Sequence, residues 1–456
     1  MKETRVLNLK WIVYILISCV YAVSQKNILM YSVLLIELAL IVKDLWQEKY
    51  ESFKIRQMEL IFISLMMPDN YLIIAIVCIL LVVHLPRCEW KLEGMTMLLL
   101  AYVIFNICIN SVNLNNLIFA TVYNLPFLLA AYVIKKKASR EPKFRESMIL
   151  CAKRFVVLEA CTVLVYMVSH LATVKEFIDM DWVTGTLGTY QCNTLMLICS
   201  FSFLVFLDDF LKNKKSLIWA IVALALAMST TAVAYTLILI VTVVVVLFIS
   251  REINLKLKVS AIAGVLAGLI VFLCISPSWI VNEIPKLTNV SYLQERIHKI
   301  EYYVNTFSKM PENEGVKTWL FGVGVGEYSS RAASTCAGGY IGLYDNFFEL
   351  HVSEMRAKYI TDQTYDIAYW GKSVVDTPGS TILALQGELG IIGLIMGLIT
   401  FFRLYKDANG LIPRTIVVFF FGLMFVESVV GFLKYGIIFL LAYYATNTMD
   451  LKENEA

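Results

Sequence analysis

Charge is scarce in this chain. Asp, Glu, Lys and Arg make up 16% of 456 residues, against roughly 25% in an ordinary soluble domain. That deficit argues against a set of conventional soluble domains. Apolar residues reach 59% and the mean hydropathy is +0.71. They arrive in blocks of about 15–20, the length of a membrane helix. No C-x-x-C pair occurs and no His/Cys cluster has metal-ligand spacing, so redox and zinc motifs are absent. Most of the ten cysteines are scattered through apolar blocks (Cys19, Cys78, Cys108, Cys161, Cys199, Cys274) and read as small apolar residues. Cys192 and Cys336 fall in or beside outer loops, where pairing is open to them. No internal repeat relates two halves, which weighs against transporters built from inverted or parallel repeats. Lys2, Arg5 and Lys10 before Trp11–Val23 have the shape of a signal peptide but lack an A-x-A-like cleavage site. An uncleaved first span is expected. The net charge of +3 gives no ground for a nucleic-acid partner.

What is present is a long alternation of apolar runs and charged connections. The runs predict an all-α polytopic membrane protein of about fourteen transmembrane helices. They lie near 11–24, 28–42, 58–68, 70–86, 94–110, 116–134, 147–171, 193–208, 216–229, 231–249, 259–276, 380–402, 414–430 and 435–449. Several are shorter than the ~20 residues of a straight span, so their ends must extend into the nominal loops. Orientation follows from the Lys/Arg bias of short loops. One set is basic: 43–56, 86–91, 135–145, 208–215, 251–258 and 403–414. The alternate set carries Lys26, Lys175 and little else. Both termini are then cytoplasmic.

This divides the chain into residues 1–276, with eleven expected spans, a large extracytoplasmic loop at 277–379, and residues 380–456 with the last three. A connection of this length is usually functional or disordered. This one is rich in Trp, Tyr and Phe. Leu293, Ile297, Ile300, Val304 and Phe307 recur at helical spacing, and a second helix is expected over roughly 344–360. The loop reads as a folded, partly helical cap on the membrane surface.

Four segments then stand in order: TGTLGTYQCN at 184–193; Arg296 followed by WLFGVGVGEY at 319–328; DTPGST at 376–381; and GELGIIG at 387–393. Together they resemble the O-antigen ligase/polymerase family, the Wzy-type polymerases of bacterial surface polysaccharides, over roughly residues 180–400. There a G-T-x-G…N segment, an outer turn, a long outer loop with Arg and G-x-G-x-x-x-Y, and an E-x-G-x-x-G span follow one another. The chain departs in three places. Gly379-Ser380 stands where ligases keep a His-Asn pair, Ser229–Thr231 replaces an outer Ser-Arg turn, and the Arg before G-T-x-G is missing. These departures favour a polymerase over a ligase.

The resemblance implies that a sugar hydroxyl of one undecaprenyl-diphosphate-linked repeat unit attacks the anomeric carbon of another chain, and undecaprenyl diphosphate leaves. It implies a lipid-linked glycan, the bilayer and a chain-length regulator as partners, and no metal or soluble cofactor. The departing diphosphate gains charge and needs cationic stabilisation, for which the forked guanidinium is suited. Arg296 and Arg331 lead the candidates, followed by Arg356. Gly322, Gly324 and Gly326 form either an N–H nest for an anion or a plain re-entry turn. His351 and Asp376 are level as general base, with His298 behind them. Glu388 is either a catalytic-site residue bonded to the loop or to Thr186 and Asn193, or a helix-end residue. Asn193 and Tyr328 are candidate substrate contacts. Glu37, Glu159 and Glu427, inside spans, read as helix-to-helix hydrogen-bonding groups rather than an ion path. Asp208-Asp209 reads as a solvated cytoplasmic loop. The aromatic residues of the loop are equally suited to sugar stacking and to packing. The rival classes are an O-antigen-type ligase and a polysaccharide flippase or transporter.

Overall fold

The computed structural model describes residues 7–47, 50–68, 94–169, 184–188, 191–229, 233–249, 290–336, 351–361, 380–426, 429 and 432–447. The expected spans at 70–86 and 259–276 lie outside these residues, as do Asp376 and Glu427. Every described element is helical. In order they are α1 (Leu9–Ser24), α2 (Ile28–Trp46), α3 (Tyr50–Leu65), α4 (Gly94–Asn110), α5 (Leu114–Arg140), α6 (Phe144–Ser169), α7 (Cys192–Asn213) and α8 (Leu217–Met228). Then come α9 (Val233–Ile249), α10 (Val290–Phe321), α11 (Arg331–Cys336), α12 (Glu354–Arg356), which runs into a π-helical turn at Ala357–Thr361, α13 (Thr381–Lys406), α14 (Leu411–Val426) and α15 (Leu433–Thr446).

Local chemistry sets several of these boundaries. Asn8 Oδ1 accepts the Trp11 N–H at 3.1 Å and Asn113 Oδ1 accepts the Asn115 N–H at 2.9 Å, opening α1 and α5. The Ser353 and Ser380 hydroxyls do the same for α12 and α13. Each satisfies an N–H that the first turn leaves without a helical partner. At the other end, Gln25 and Lys214 take left-handed φ values and stop α1 and α7.

Among the described residues, three helices, α5, α7 and α13, are long and apolar enough to cross a membrane. Shorter apolar helices include α1, α8, α15 and most of α4 and α14. Large apolar side chains such as Leu16, Val20, Ile218, Ile221 and Phe402 stand exposed on the outside of the bundle. A water-facing helix would carry charge there, so a hydrocarbon surround accounts for the pattern.

Between helices the packing is close. Phe201 of α7 meets Phe419 of α14 at 5.4 Å between ring centroids, and Phe420 stacks on Phe439 of α15 at 4.1 Å. Lipid tails are as apolar as these rings, so complementary shape rather than flight from water holds the helices together. At Gly436 a Cβ would sit 2.4 Å from the Phe127 ring, which brings α5 and α15 into near-backbone contact.

Charged residues differ from expectation in one respect. Asp208 and Asp209 are not a solvated loop: both are buried within α7. Arg145 Nη2 lies 2.8 Å and Lys212 Nζ 3.1 Å from the Asp208 carboxylate, and the Ser216 hydroxyl donates to Asp209. Helix propensity carried α7 through the charged run to Asn213, which drew the pair inside. Likewise α5 continues to Arg140, so most of the basic 135–145 connection is helical. Glu37 is held between helices, by Lys10 Nζ at 2.9 Å and the Tyr14 hydroxyl at 2.7 Å.

In the large loop, α10 covers the expected stripe at 293–307 and extends beyond it. The second expected helix does not span its full range. Residues 351–353 are extended, Ser353 caps the chain, and helix begins only at Glu354. Residues 344–350 lie outside the described set.

Candidate functional site

The chain leaves α10 at Phe321 and turns through Gly322 (φ 72°), Gly324 (115°) and Gly326 (78°). Left-handed φ at alternating positions is open to glycine at no steric cost. The turn folds onto the middle of α13. The Val323 N–H donates to the Gly387 carbonyl at 2.9 Å, and the Gly324 N–H to the Glu388 carbonyl at 3.0 Å. The Glu388 carboxylate completes the join. Its Oε2 accepts the Gly326 N–H at 2.7 Å, and its Oε1 accepts those of Ser330 at 3.0 Å and Tyr328 at 3.4 Å.

Those carbonyls are available because α13 breaks at Gly390 (φ 67°, ψ −171°). A break leaves the preceding carbonyls without partners one turn on, and inside a bundle such groups must be satisfied by protein. The Tyr102 hydroxyl of α4 takes the Leu389 carbonyl at 2.5 Å and the Asn106 amide takes that of Glu388 at 3.3 Å. Space is equally constrained: a Cβ at Gly322 would meet the Glu388 carbonyl at 2.4 Å, and one at Gly390 the Leu320 carbonyl at 2.2 Å. The Tyr328 ring lies directly over Gly387. The G-x-G-x-G turn and the E-x-G-x-x-G helix are therefore two halves of one joint.

The α4–α5 hairpin grips the turn from its other side. The Asn113 N–H donates to Glu327 Oε1 at 2.8 Å, Asn116 Nδ2 donates to the Gly326 carbonyl at 2.7 Å, and the Tyr123 and Thr335 hydroxyls are 3.1 Å apart.

Around this joint the structure gathers several expected site residues. Arg356 is buried, with Nη1 donating to the Tyr328 carbonyl at 2.7 Å and Nη2 to the Ser334 hydroxyl at 3.3 Å. Burial lowers its guanidinium to about 10, against the opposing charge of Glu388. Arg331 opens α11, buried, with its guanidinium carbon 3.9 Å from the Phe432 ring centroid and 5.6 Å from that of Tyr123. His351 Nε2 lies 3.5 Å from Glu327 Oε2. The Gly324 N–H is taken by the Glu388 carbonyl and the Gly326 N–H by its carboxylate, so both bond within the chain. Asp376 is outside the described residues, and Arg296 and His298 are described only as backbone of α10.

Residues 184–188 dock elsewhere on the bundle. Glu159 of α6 accepts the Thr186 N–H at 3.0 Å and contacts its hydroxyl. Lys434 Nζ, buried at the start of α15, donates to the Met67 carbonyl at 2.6 Å and to Gln191 at 3.1 Å. The Thr194 hydroxyl donates to that of Tyr435 at 3.3 Å. The start of α15 thus joins this segment, through Lys434 and Tyr435, to Arg331, through Phe432. Asn193 follows Cys192, whose thiol donates to its side-chain oxygen.

Several buried side-chain atoms around the joint have no hydrogen-bond partner among the described residues: Asn106 Oδ1, Asn110 Nδ2, Asn116 Oδ1, Ser329 Oγ, Arg356 Nε and Gln386 Nε2. Buried polar atoms are nearly always paired, so their concentration at one place calls for a reason. A polar substrate seated here is such a reason. Sequence reasoning missed Glu327 and the asparagines of α4 and α5. Their signal was the spacing of Asn106 and Asn110, which puts two amides on one helical face at the end of an apolar run.

Searches against protein-family models, curated proteins and solved structures find no match to this chain.

Proposed function

We propose that this chain is a multi-pass glycosyltransferase of a bacterial cytoplasmic membrane, with about fourteen membrane helices and both termini cytoplasmic. It polymerises undecaprenyl-diphosphate-linked oligosaccharide repeat units at the outer face, for an O-antigen, capsule or exopolysaccharide. The reading rests on the ordered motifs at 184–193, 319–328 and 387–393. The observation that carries it is the joint between two of them, which lies beside buried Arg331 and Arg356 and a set of unsatisfied polar groups. Two guanidiniums suit a diphosphate leaving group, since each offers a planar fork of donors and stays charged. The amides and hydroxyls suit sugar hydroxyls.

Gene deletion in the native host, with the surface glycan resolved by size, tests the reading. Loss of a ladder down to one repeat unit is the expected result. Complementation by Arg331→Ala should fail at normal membrane abundance. Loss of all outer-leaflet glycan, single unit included, would overturn the polymerase in favour of a flippase. Full-length polymer left on its lipid carrier would point to a ligase.

A further inference from the structure

The proposed reaction needs a group to take the proton of the attacking hydroxyl. The described part of the loop holds one imidazole with a carboxylate beside it. His351 follows the region after α11 and is pinned by its own backbone, whose N–H donates to the Cys336 carbonyl at 2.9 Å. Its side chain is 38% exposed, while that of Glu327, 3.5 Å away, is 7% exposed. Glu327 is fixed on three sides. Its Oε1 accepts the Asn113 N–H at 2.8 Å, its carbonyl accepts the Ser353 hydroxyl, and its neighbours Gly326 and Tyr328 are both bonded to Glu388. The carboxylate is thus buried and held at Oε1, and the imidazole is open on one side. That is the division of labour in a base held by an orienting acid.

We infer that Glu327 is a positioning carboxylate for His351, and that His351 is the general base that takes the proton of the acceptor sugar hydroxyl. This rests on the polymerase reading above. With Nε2 on the Glu327 side at 3.5 Å, Nδ1 is the nitrogen left to meet the hydroxyl. The hydroxyl oxygen forms its bond to the anomeric carbon, its proton passes to Nδ1, and the bond from that carbon to the diphosphate oxygen breaks with its electron pair on the leaving group. Glu327 steadies the imidazolium so formed. The other titratable group against Glu327 is the Cys336 thiol at the end of α11, which in turn feels Arg356 on α12 and Glu388 on α13. All three are retained in every variant below.

The test uses the full chain in native membranes, in cells or vesicles whose outer face is open to added reagents. Diethyl pyrocarbonate modifies imidazole, and the rate at which His351 is modified is followed by mass spectrometry at one fixed pH in wild type, Glu327→Gln and Glu327→Asp. A ring held against the carboxylate should be modified faster once that carboxylate is lost, with the aspartate variant between the two. Equal rates in all three overturn the dyad whatever the protein's activity. In parallel, extension of the host's own lipid-linked repeat units is timed. His351→Gln should lose about 100-fold or more in rate. Glu327→Gln should lose less, and Glu327→Asp should recover part of the rate. A changed modification rate with normal extension by His351→Gln assigns the pair a structural role and overturns the base. Should deletion of the gene leave the glycan ladder unchanged, the polymerase reading falls and the base with it, while the modification rate still reports the dyad.

Discussion

Glu388 Oε2 accepts the Gly326 N–H at 2.7 Å across 62 residues of sequence, so a carboxylate on a broken helix closes the glycine-rich turn of the large loop. Three N–H groups converge on this one side chain. Glu388→Ala strands all three, and a buried donor without a partner costs about 1–3 kcal/mol. Glu388→Gln keeps one acceptor oxygen of the same shape and should fall between the two. Thermal melts in detergent, with limited proteolysis over 322–336, rank the variants. Equal resistance of wild type and Glu388→Ala would mean that the carboxylate does not hold the turn.

The break at Gly390 gives a second test, because a matched control exists. Gly390 (φ 67°, ψ −171°) and Gly315 (φ 85°, ψ 158°) both occupy backbone conformations that are essentially glycine's own. Alanine at either should cost about 1–3 kcal/mol in strain. A Cβ at Gly315 meets nothing within 4 Å, whereas at Gly390 it lies 2.2 Å from the Leu320 carbonyl. Gly315→Ala should therefore reach the membrane at near-normal abundance while Gly390→Ala does not. Immunoblots of membrane fractions decide it, and similar yields would show that α10 and α13 separate readily there.

These two positions also show what the sequence could and could not say. The helical class and the apolar character of the helices were legible, since each depends on composition and local spacing. That Gly322–Gly326 and Gly387–Gly390 are one joint was not, because it depends on contacts between segments more than 60 residues apart. The glycines were read as either a nest for an outside anion or a plain re-entry turn, and the two look the same in sequence when the partner is the chain's own Glu388. Asp208-Asp209 misled for a related reason. Their neighbours Lys212, Lys214 and Lys215 look like a solvated run, yet helix α7 turns the acids inward to Arg145.

Stability of the loop should depend on pH through Glu327. Burial holds its carboxyl above the ordinary 4.5, against opposing pulls from the Asn113 N–H and His351. The folded state then binds this proton more tightly than the unfolded chain. The contribution is complete below about pH 4.5 and is lost as the pH rises through the raised native value. Glu327→Gln cannot titrate, so its melting midpoint should drop less between about pH 4.5 and pH 7 than that of wild type. Parallel curves for the two proteins would place the titration elsewhere.

At the far end of the bundle, Glu59 of α3 lies between two cations. Lys10 Nζ approaches its carboxylate at 2.5 Å, Arg154 of α6 contacts it from the other side, and the Trp11 indole N–H donates to it at 3.1 Å. Arg154 and Glu59 side chains are each 4% exposed, so water cannot replace a lost partner. Glu59→Gln leaves Lys10 with Glu37, at 2.9 Å, but leaves Arg154 beside a neutral amide. Breaking a buried pair from one side costs about 3–5 kcal/mol, while replacing both partners by apolar groups of similar volume is often neutral. Glu59→Gln should therefore lower the melting midpoint sharply, and Glu59→Leu with Arg154→Met should recover most of the loss. Added salt should change neither result, because screening acts on exposed charges. If the double variant is as unstable as the single, the two side chains contribute more by shape than by mutual charge, and the indole N–H left without its acceptor accounts for the remainder.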